Sequence, residues 1–306
     1  MPEPYFGFDT TPLSNWHIIM IAPSELIVNP DGSAFHLHLK PEQLSDRILL
    51  VGDPERVTTV ASYFDSIECE VSSREFHTIT GIYKGKRITT LSHGIGTDNI
   101  DIVLNELDAL ANIDFRTRTI RPRFRQLTLV RVGTSGGLQP FTPVGTYVAA
   151  EKSIGFDGVI YFYANTEKVR DTTFESELLK QLEWKLSGLK PYVVPADPSL
   201  IEQITKNDII RGVTIAANGF YGPQGRKLRL PLADPELNKK IEAFQFENHK
   251  ITNFEMESSS LAGLAALMGH RAMTVCCIIA GRVEKNMNTE YKGSMTGLIE
   301  TVLERI

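Results

Sequence analysis

The chain predicts an α/β fold in which helices cover a central mixed β-sheet within one domain. Short apolar runs alternate with longer amphipathic stretches across the 306 residues. No Pro/Gly/Ser-rich linker divides them, and no repeat or low-complexity run breaks the alternation. That pattern belongs to a layered helix–sheet architecture. Strands are expected at Ile48–Val51, Arg87–Leu91, Leu127–Val132, Thr146–Ala150, Val213–Ala217 and Met273–Ile279. Helices are expected at Asn99–Ala111, Phe174–Leu186, Pro235–Phe246, Ser258–Met268 and Thr296–Arg305.

The first strand is an apolar run broken by Gly52, after which Asp53 suits an N-cap and Pro54 the first helical turn. A strand ending in glycine and feeding a helix N-terminus makes an anion site, and Arg56 adds charge one turn in. An ordinary strand-to-helix turn with a solvated Arg56 is the alternative. In Asn99–Ala111, the residues Ile100, Val103, Leu104, Leu107 and Ala111 trace one apolar stripe. Leu127–Val132 carries Arg131 in its midst, a poor fit for a buried strand unless the charge is paired. It is expected to open into Gly133-Thr134-Ser135-Gly136-Gly137, whose amides and hydroxyls could surround an oxyanion. This is not a Walker sequence, since no lysine follows the glycines. Arg131 paired to a structural carboxylate is a serious alternative.

After Val213–Ala217 comes Asn218-Gly219-Phe220-Tyr221-Gly222-Pro223-Gln224-Gly225-Arg226. Gln224 donates and accepts at once, Arg226 offers a planar fork of donors, and Phe220 can pack on a flat heterocycle. A Gly/Pro-rich surface loop would have a similar composition. Just before the helix at Ser258 stands Asn253-Phe254-Glu255-Met256-Glu257. Two carboxylates at one spot offer acceptors for neighbouring hydroxyls, and Met256 an apolar surface for a sugar ring. Alone, the pair is better read as complementing the positive end of a helix dipole.

Taken in order, these segments resemble the nucleoside phosphorylase family, and its uridine-cleaving branch most. The resemblance runs from about Phe35 to the C-terminus. It rests on Gly52-Asp53-Pro54-Glu55-Arg56, Ser73-Arg74-Glu75-Phe76, Ser92-His93-Gly94-Ile95-Gly96, Arg131 to Gly136, Phe220 to Arg226 and Asn253 to Ser258. It implies a three-layer sandwich of helices around a mixed, partly barrel-like sheet. Residues 35–306 would form that single domain, with residues 1–34 an extension to which no role is assigned.

The resemblance assigns Gly52, Arg56, Arg74, Arg131 and Thr134 to a phosphate pocket, and Glu255, Met256 and Glu257 to a ribose site. His36 matches a histidine lent across a subunit interface to the 5′ hydroxyl, and Arg74 is likewise lent by a neighbour. A rim histidine is the alternative for His36. Phe220, Gln224 and Arg226 match the base site. Inorganic phosphate would then be the nucleophile and co-substrate, with no cofactor or metal required. Arg226 and Gln224 would stabilise the departing base and Glu257 would orient the sugar. Self-association is implied, at least to a dimer; hexamers are usual in the bacterial uridine branch.

Two departures stand out. Ala280-Gly281-Arg282 replaces an Asn-Arg common in the uridine branch, and purine enzymes carry an aspartate there. The segment Phe115 to Arg125 is longer than the family's connection and dense in arginine, best read as a solvated loop. Rival readings are a purine or methylthioadenosine phosphorylase, a hydrolytic nucleosidase, and a non-catalytic nucleoside-binding relative.

Composition sets outer limits. A formal charge of −5 argues against a general nucleic-acid binder. Cys69, Cys276 and Cys277 form no metal-ligand spacing, and Cys276 and Cys277 read as reduced core residues. Met1 to Tyr5 lacks the basic start of a signal peptide, and Ile18–Ala22 is too short to span a bilayer. A soluble, cytoplasmic protein is expected.

Overall fold

The computed structural model describes residues 20–281, 286–287 and 291–306, with backbone pairing alone for 286–287. The first expected strand forms as β1 (Arg47–Val51), and α1 (Pro54–Ala61) follows it. Asp53 caps α1 by accepting from the Glu55 amide at 2.9 Å. Next come β2 (Ser66–Ser73), β3 (Phe76–Tyr83) and β4 (Lys86–Ser92), an antiparallel meander. The apolar stripe lies on α2 (Thr97–Asn112), which precedes a two-residue hairpin pair, β5 (Ile113–Asp114) and β6 (Thr119–Ile120). Then follow β7 (Thr128–Gly137), β8 (Tyr147–Gly155), α3 (Thr172–Gln181), β9 (Tyr192–Pro195), α4 (Pro198–Thr205) and β10 (Ile210–Ala216). The C-terminal third holds α5 (Leu237–Ala243), β11 (Gln245–Phe246), β12 (His249–Glu255), α6 (Ser258–Met268), β13 (Arg271–Gly281), β14 (Asn286–Met287) and α7 (Lys292–Arg305).

The sheet order runs β11-β12-β10-β8-β13-β7-β1-β4-β3-β2, and β12 also pairs with β7. That extra pairing closes β7, β12, β10, β8 and β13 into a ring, while β1 to β4 continue as an open wing. The mixed, partly barrel-like sheet expected from the resemblance is therefore present.

Both faces of the open wing are covered. Ile48 and Leu50 pack with Leu129 of β7, with Leu104 and Leu107 of α2 and with Leu261 of α6. Their alternate neighbours Leu49 and Val51 pack with Val57 and Val60 of α1 and with Leu298 and Val302 of α7. Successive residues of one strand thus enter two cores, which explains why β1 reads as a continuous apolar run. A third cluster, around Phe174, Phe244 and Phe254, joins α3 and α5 to the barrel.

The strand Leu127–Val132 does not end where it was expected to. It runs on through Gly133 to Gly137, each residue paired to β13, and Gly136 and Gly137 also meet Phe254 and Asn253 of β12. The glycines are not a free loop but the segment that closes the ring. At Gly137 a Cβ would lie 2.3 Å from the Thr142 carbonyl oxygen, so the bend admits no side chain there. The helix expected over Phe174–Leu186 stops at Gln181, and that over Pro235–Phe246 shrinks to Leu237–Ala243, with Gln245–Phe246 extended. Arg282 lies outside the described residues.

Candidate active site

A cavity of about 1190 Å³ opens at the carboxyl ends of β1, β4, β7, β12 and β13, the usual place for a ligand in such sheets. Gly52, Arg56, Arg131 and Thr134 line one part of it. Glu255, Met256 and Glu257 line another, and Phe220, Gln224 and Arg226 a third. Ten of the residues singled out from the sequence therefore share this cavity. His36 and Arg74 do not line it. His36 Nδ1 lies 2.6 Å from Glu106 Oε1 on α2, and the same carboxylate accepts from the amides of His36 and Leu37. Arg74 is exposed at the β2–β3 turn in the left-handed region (φ +55°), beside Glu75, which does line the cavity.

Arg131 is the centre of the polar network. Its Nη1 lies 2.9 Å from Glu255 Oε2 and 3.7 Å from Cys276 Sγ. Nη2 donates to Glu257 Oε2, and Nε donates to His93 Nε2 at 3.1 Å. A guanidinium carries five N–H donors, so among the described residues these partners leave one Nη2 hydrogen for a ligand. Of the two sequence readings of this arginine, the pairing to carboxylates is present, and the side chain also lines the cavity. Burial alone would lower its pKa, but Glu257 and Glu255 outweigh burial and hold it above its ordinary value.

The two carboxylates differ in setting. Glu255 accepts from the Glu257 amide at 2.9 Å and the Ser258 amide at 3.0 Å, and from the Ser258 hydroxyl at 2.5 Å. It therefore closes the first turn of α6, where the free N–H groups and positive dipole end favour an anion. Glu257 accepts instead from the Gly96 amide at 2.7 Å, across from the start of α2. Burial pushes the Glu257 carboxyl above the ordinary glutamic value, with Arg131 opposing and Glu255 reinforcing.

Phe220, Gln224 and Arg226 form a unit of their own. The Arg226 guanidinium sits 3.8 Å from the Phe220 ring centroid, and its Nη1 lies 2.5 Å from Gln224 Oε1 and 2.6 Å from the Phe220 carbonyl. Gly225, at φ +68°, supplies the left-handed residue of this turn. Ile279, Ala280 and Gly281 of β13 also line the cavity and bring no charge to it.

Several cavity residues had no role assigned from the sequence. Glu75 and Asn99 line it; Ser135, read from the sequence with the glycine segment, lines it too, and its buried hydroxyl has no hydrogen-bond partner among the described residues. His93 is fully buried behind it. In the sequence it stood only within Ser92-His93-Gly94-Ile95-Gly96, one of the segments that carry the resemblance.

The model of the phosphorylase superfamily matches residues 46–304. The chain belongs to that superfamily. It is 29% identical over 261 residues to a uridine phosphorylase of Thermococcus kodakarensis, spanning 83% of this chain and 79% of that one. A Haemophilus influenzae uridine phosphorylase is 28% identical over 266 residues, 85% of this chain and 90% of the relative. Among solved structures, a Trypanosoma brucei nucleoside phosphorylase that shows uridine phosphorylase activity superposes with a TM-score of 0.84 at 29% identity, covering 92% and 98% of the two chains. No helix among the described residues is long and apolar enough to cross a membrane.

Proposed function

We propose that this phosphorylase cleaves uridine with inorganic phosphate, giving uracil and ribose 1-phosphate. One observation carries the reading. A single cavity joins an arginine–glycine–threonine cluster, a Glu-Met-Glu cluster and a Phe–Gln–Arg cluster, the groups an anion, a sugar and a flat polar ring require. Its relatives of that name span most of the chain.

Breaking the glycosidic C–N bond builds positive charge on the ribose and negative charge on the leaving base. In this proposal the Gly52 amide, Arg56, the Thr134 hydroxyl and the remaining Arg131 hydrogen take the phosphate. Phosphate is the attacking group and the neighbouring anion for the cationic sugar. Glu257 accepts from the ribose hydroxyls, and Met256 lies against the ring. Glu255 keeps Arg131 and the start of α6 in place. Gln224 and Arg226 donate toward the uracil carbonyls, where charge develops, so their effect falls mainly on the transition state. Arg226 is held by Phe220 and Gln224 before any ligand arrives, which lowers the reorganisation needed.

His36 and Arg74 enter the proposal through self-association, each completing a neighbouring copy's site. In this reading the protein is a soluble nucleoside-salvage enzyme of the cytoplasm, built as one domain over residues 35–306. The test is a substrate panel at saturating phosphate. Uridine should be turned over well ahead of inosine and methylthioadenosine, with ribose 1-phosphate as the sugar product. Faster turnover of either purine nucleoside would overturn the assignment of the base site.

A further inference from the structure

His93 has no part in the chemistry above, yet it lies fully buried against the most heavily engaged side chain of the cavity. It follows β4, and Arg131 lies on β7, with β1 between them. β1 ends at Val51, and the next residue, Gly52, lies against the His93 ring. A Cβ at Gly52 would stand 3.8 Å from His93 Cε1 and 3.4 Å from the Gly94 carbonyl oxygen, so any larger side chain would crowd the crossing. The Arg131 Nε always carries its hydrogen, so His93 Nε2, 3.1 Å away, is the acceptor and the ring proton belongs on Nδ1.

On the phosphorylase reading above, we infer that His93 is a positioning residue for phosphate: it anchors the Arg131 Nε and so aims the one uncommitted Nη2 hydrogen into the cavity. The carboxylates of Glu255 and Glu257 hold only the Nη side of the guanidinium. Without an acceptor at Nε, the plane can turn about those two contacts, and a buried N–H loses its partner. Charge favours a neutral imidazole here, whose Nδ1 has no hydrogen-bond partner among the described residues. A third carboxylate would add like charge beside two buried ones, and a cationic ring would repel both Arg131 and the nearby Arg56. Burial, Arg131 and Arg56 all hold His93 well below its ordinary pKa, so it stays an acceptor at neutral pH.

The test compares His93→Gln, whose amide oxygen reaches the place of Nε2, with His93→Phe, which fills the space and accepts nothing. His93→Asn, too short to reach Arg131, stands in should the Phe variant fail to fold. Two quantities are read: KM for phosphate against KM for uridine, and the rise in Tm on adding inorganic phosphate alone. The Phe or Asn variant should raise the phosphate KM by about tenfold, the worth of one hydrogen bond to a charged group. Its uridine KM should hold within about twofold, its phosphate-induced Tm rise should shrink, and Gln should restore both. Equal behaviour of Gln and Phe, or an unchanged phosphate response in both, overturns the inference. Wild-type protein showing no Tm rise with phosphate overturns the phosphorylase reading itself, and the inference with it.

Discussion

The placing of Arg131 depends on a residue that has no side chain. A Cβ added at Gly133 would lie 2.6 Å from Arg131 Nη1 and 3.0 Å from its Cζ and Nη2. Ordinary contact needs about 3.5 Å, so in Gly133→Ala the guanidinium must retreat by roughly 1 Å. It cannot do so freely, because Glu255, Glu257 and His93 hold it on three sides. Overpacking of this kind costs about 1–3 kcal/mol, and a displacement near 1 Å at a reacting site costs about 100-fold in rate. Gly133→Ala should therefore lower unfolding stability in urea by that amount and reduce kcat/KM for uridine by about two orders of magnitude, with phosphate KM rising. Gly188→Ala is the control, since its added Cβ meets nothing within 4 Å. A Gly133→Ala enzyme within about 0.5 kcal/mol and about twofold of wild type would refute the idea that the guanidinium's position requires a bare backbone beneath it.

Other outcomes follow from the same contacts. Arg226→Ala should lower uridine turnover by about 100-fold while leaving phosphate KM nearly unchanged, as steady-state kinetics in both substrates would show. Glu257 sits above the ordinary glutamic value, so its carboxyl takes up a proton at higher pH than a free one. The acid limb of the kcat/KM profile should accordingly lie above the ordinary value of 4.5, and Glu257→Gln should abolish that limb. Glu255→Gln should show chiefly a stability loss of about 1–2 kcal/mol in urea, because its carboxylate closes the first turn of α6. His93 is held below 6.5 in the folded state, so the unfolded chain binds its proton first as pH falls. The stability tied to its neutral ring is full above 6.5 and drains below it, by up to about 1.4 kcal/mol per pH unit. Urea titrations of wild type and His93→Gln between neutral and mildly acidic pH should diverge in that direction. Finally, the impaired Arg74→Ala and Glu257→Gln proteins should cleave uridine faster when mixed than either does alone, if Arg74 serves a neighbour's site.

Much of this architecture was legible in the sequence because its signals were local. Ile48–Val51 announced itself by composition, Asp53 and Pro54 by capping chemistry, and α2 by the stripe from Ile100 to Leu107. What escaped depended on partners distant in the chain. β2 is mostly exposed and carries Glu68 and Glu70, so it has no apolar run; its pairing with β3 makes it a strand. β12 mixes His249, Lys250 and Asn253 with apolar residues, and its place between β10 and β7 is set by ring closure. That same closure drew Gly133 to Gly137 into the sheet against their loop-like composition. α4 was missed although Asp197 and Pro198 carry the capping signal recognised at Asp53 and Pro54. At the site, residue types were readable while their division of work was not. Two glutamates flanking a methionine look equivalent in sequence; only the geometry shows Glu255 turned to the α6 amides and Glu257 to Gly96.

Uridine cleavage by purified protein, followed by the uracil absorbance change with and without inorganic phosphate, decides whether this cavity transfers a ribosyl group to phosphate. Uracil release should require phosphate and saturate with it. Equal release in phosphate-free buffer would make water the acceptor and contradict the role given to Arg56, Arg131 and Thr134. No release under either condition would contradict the base site as well.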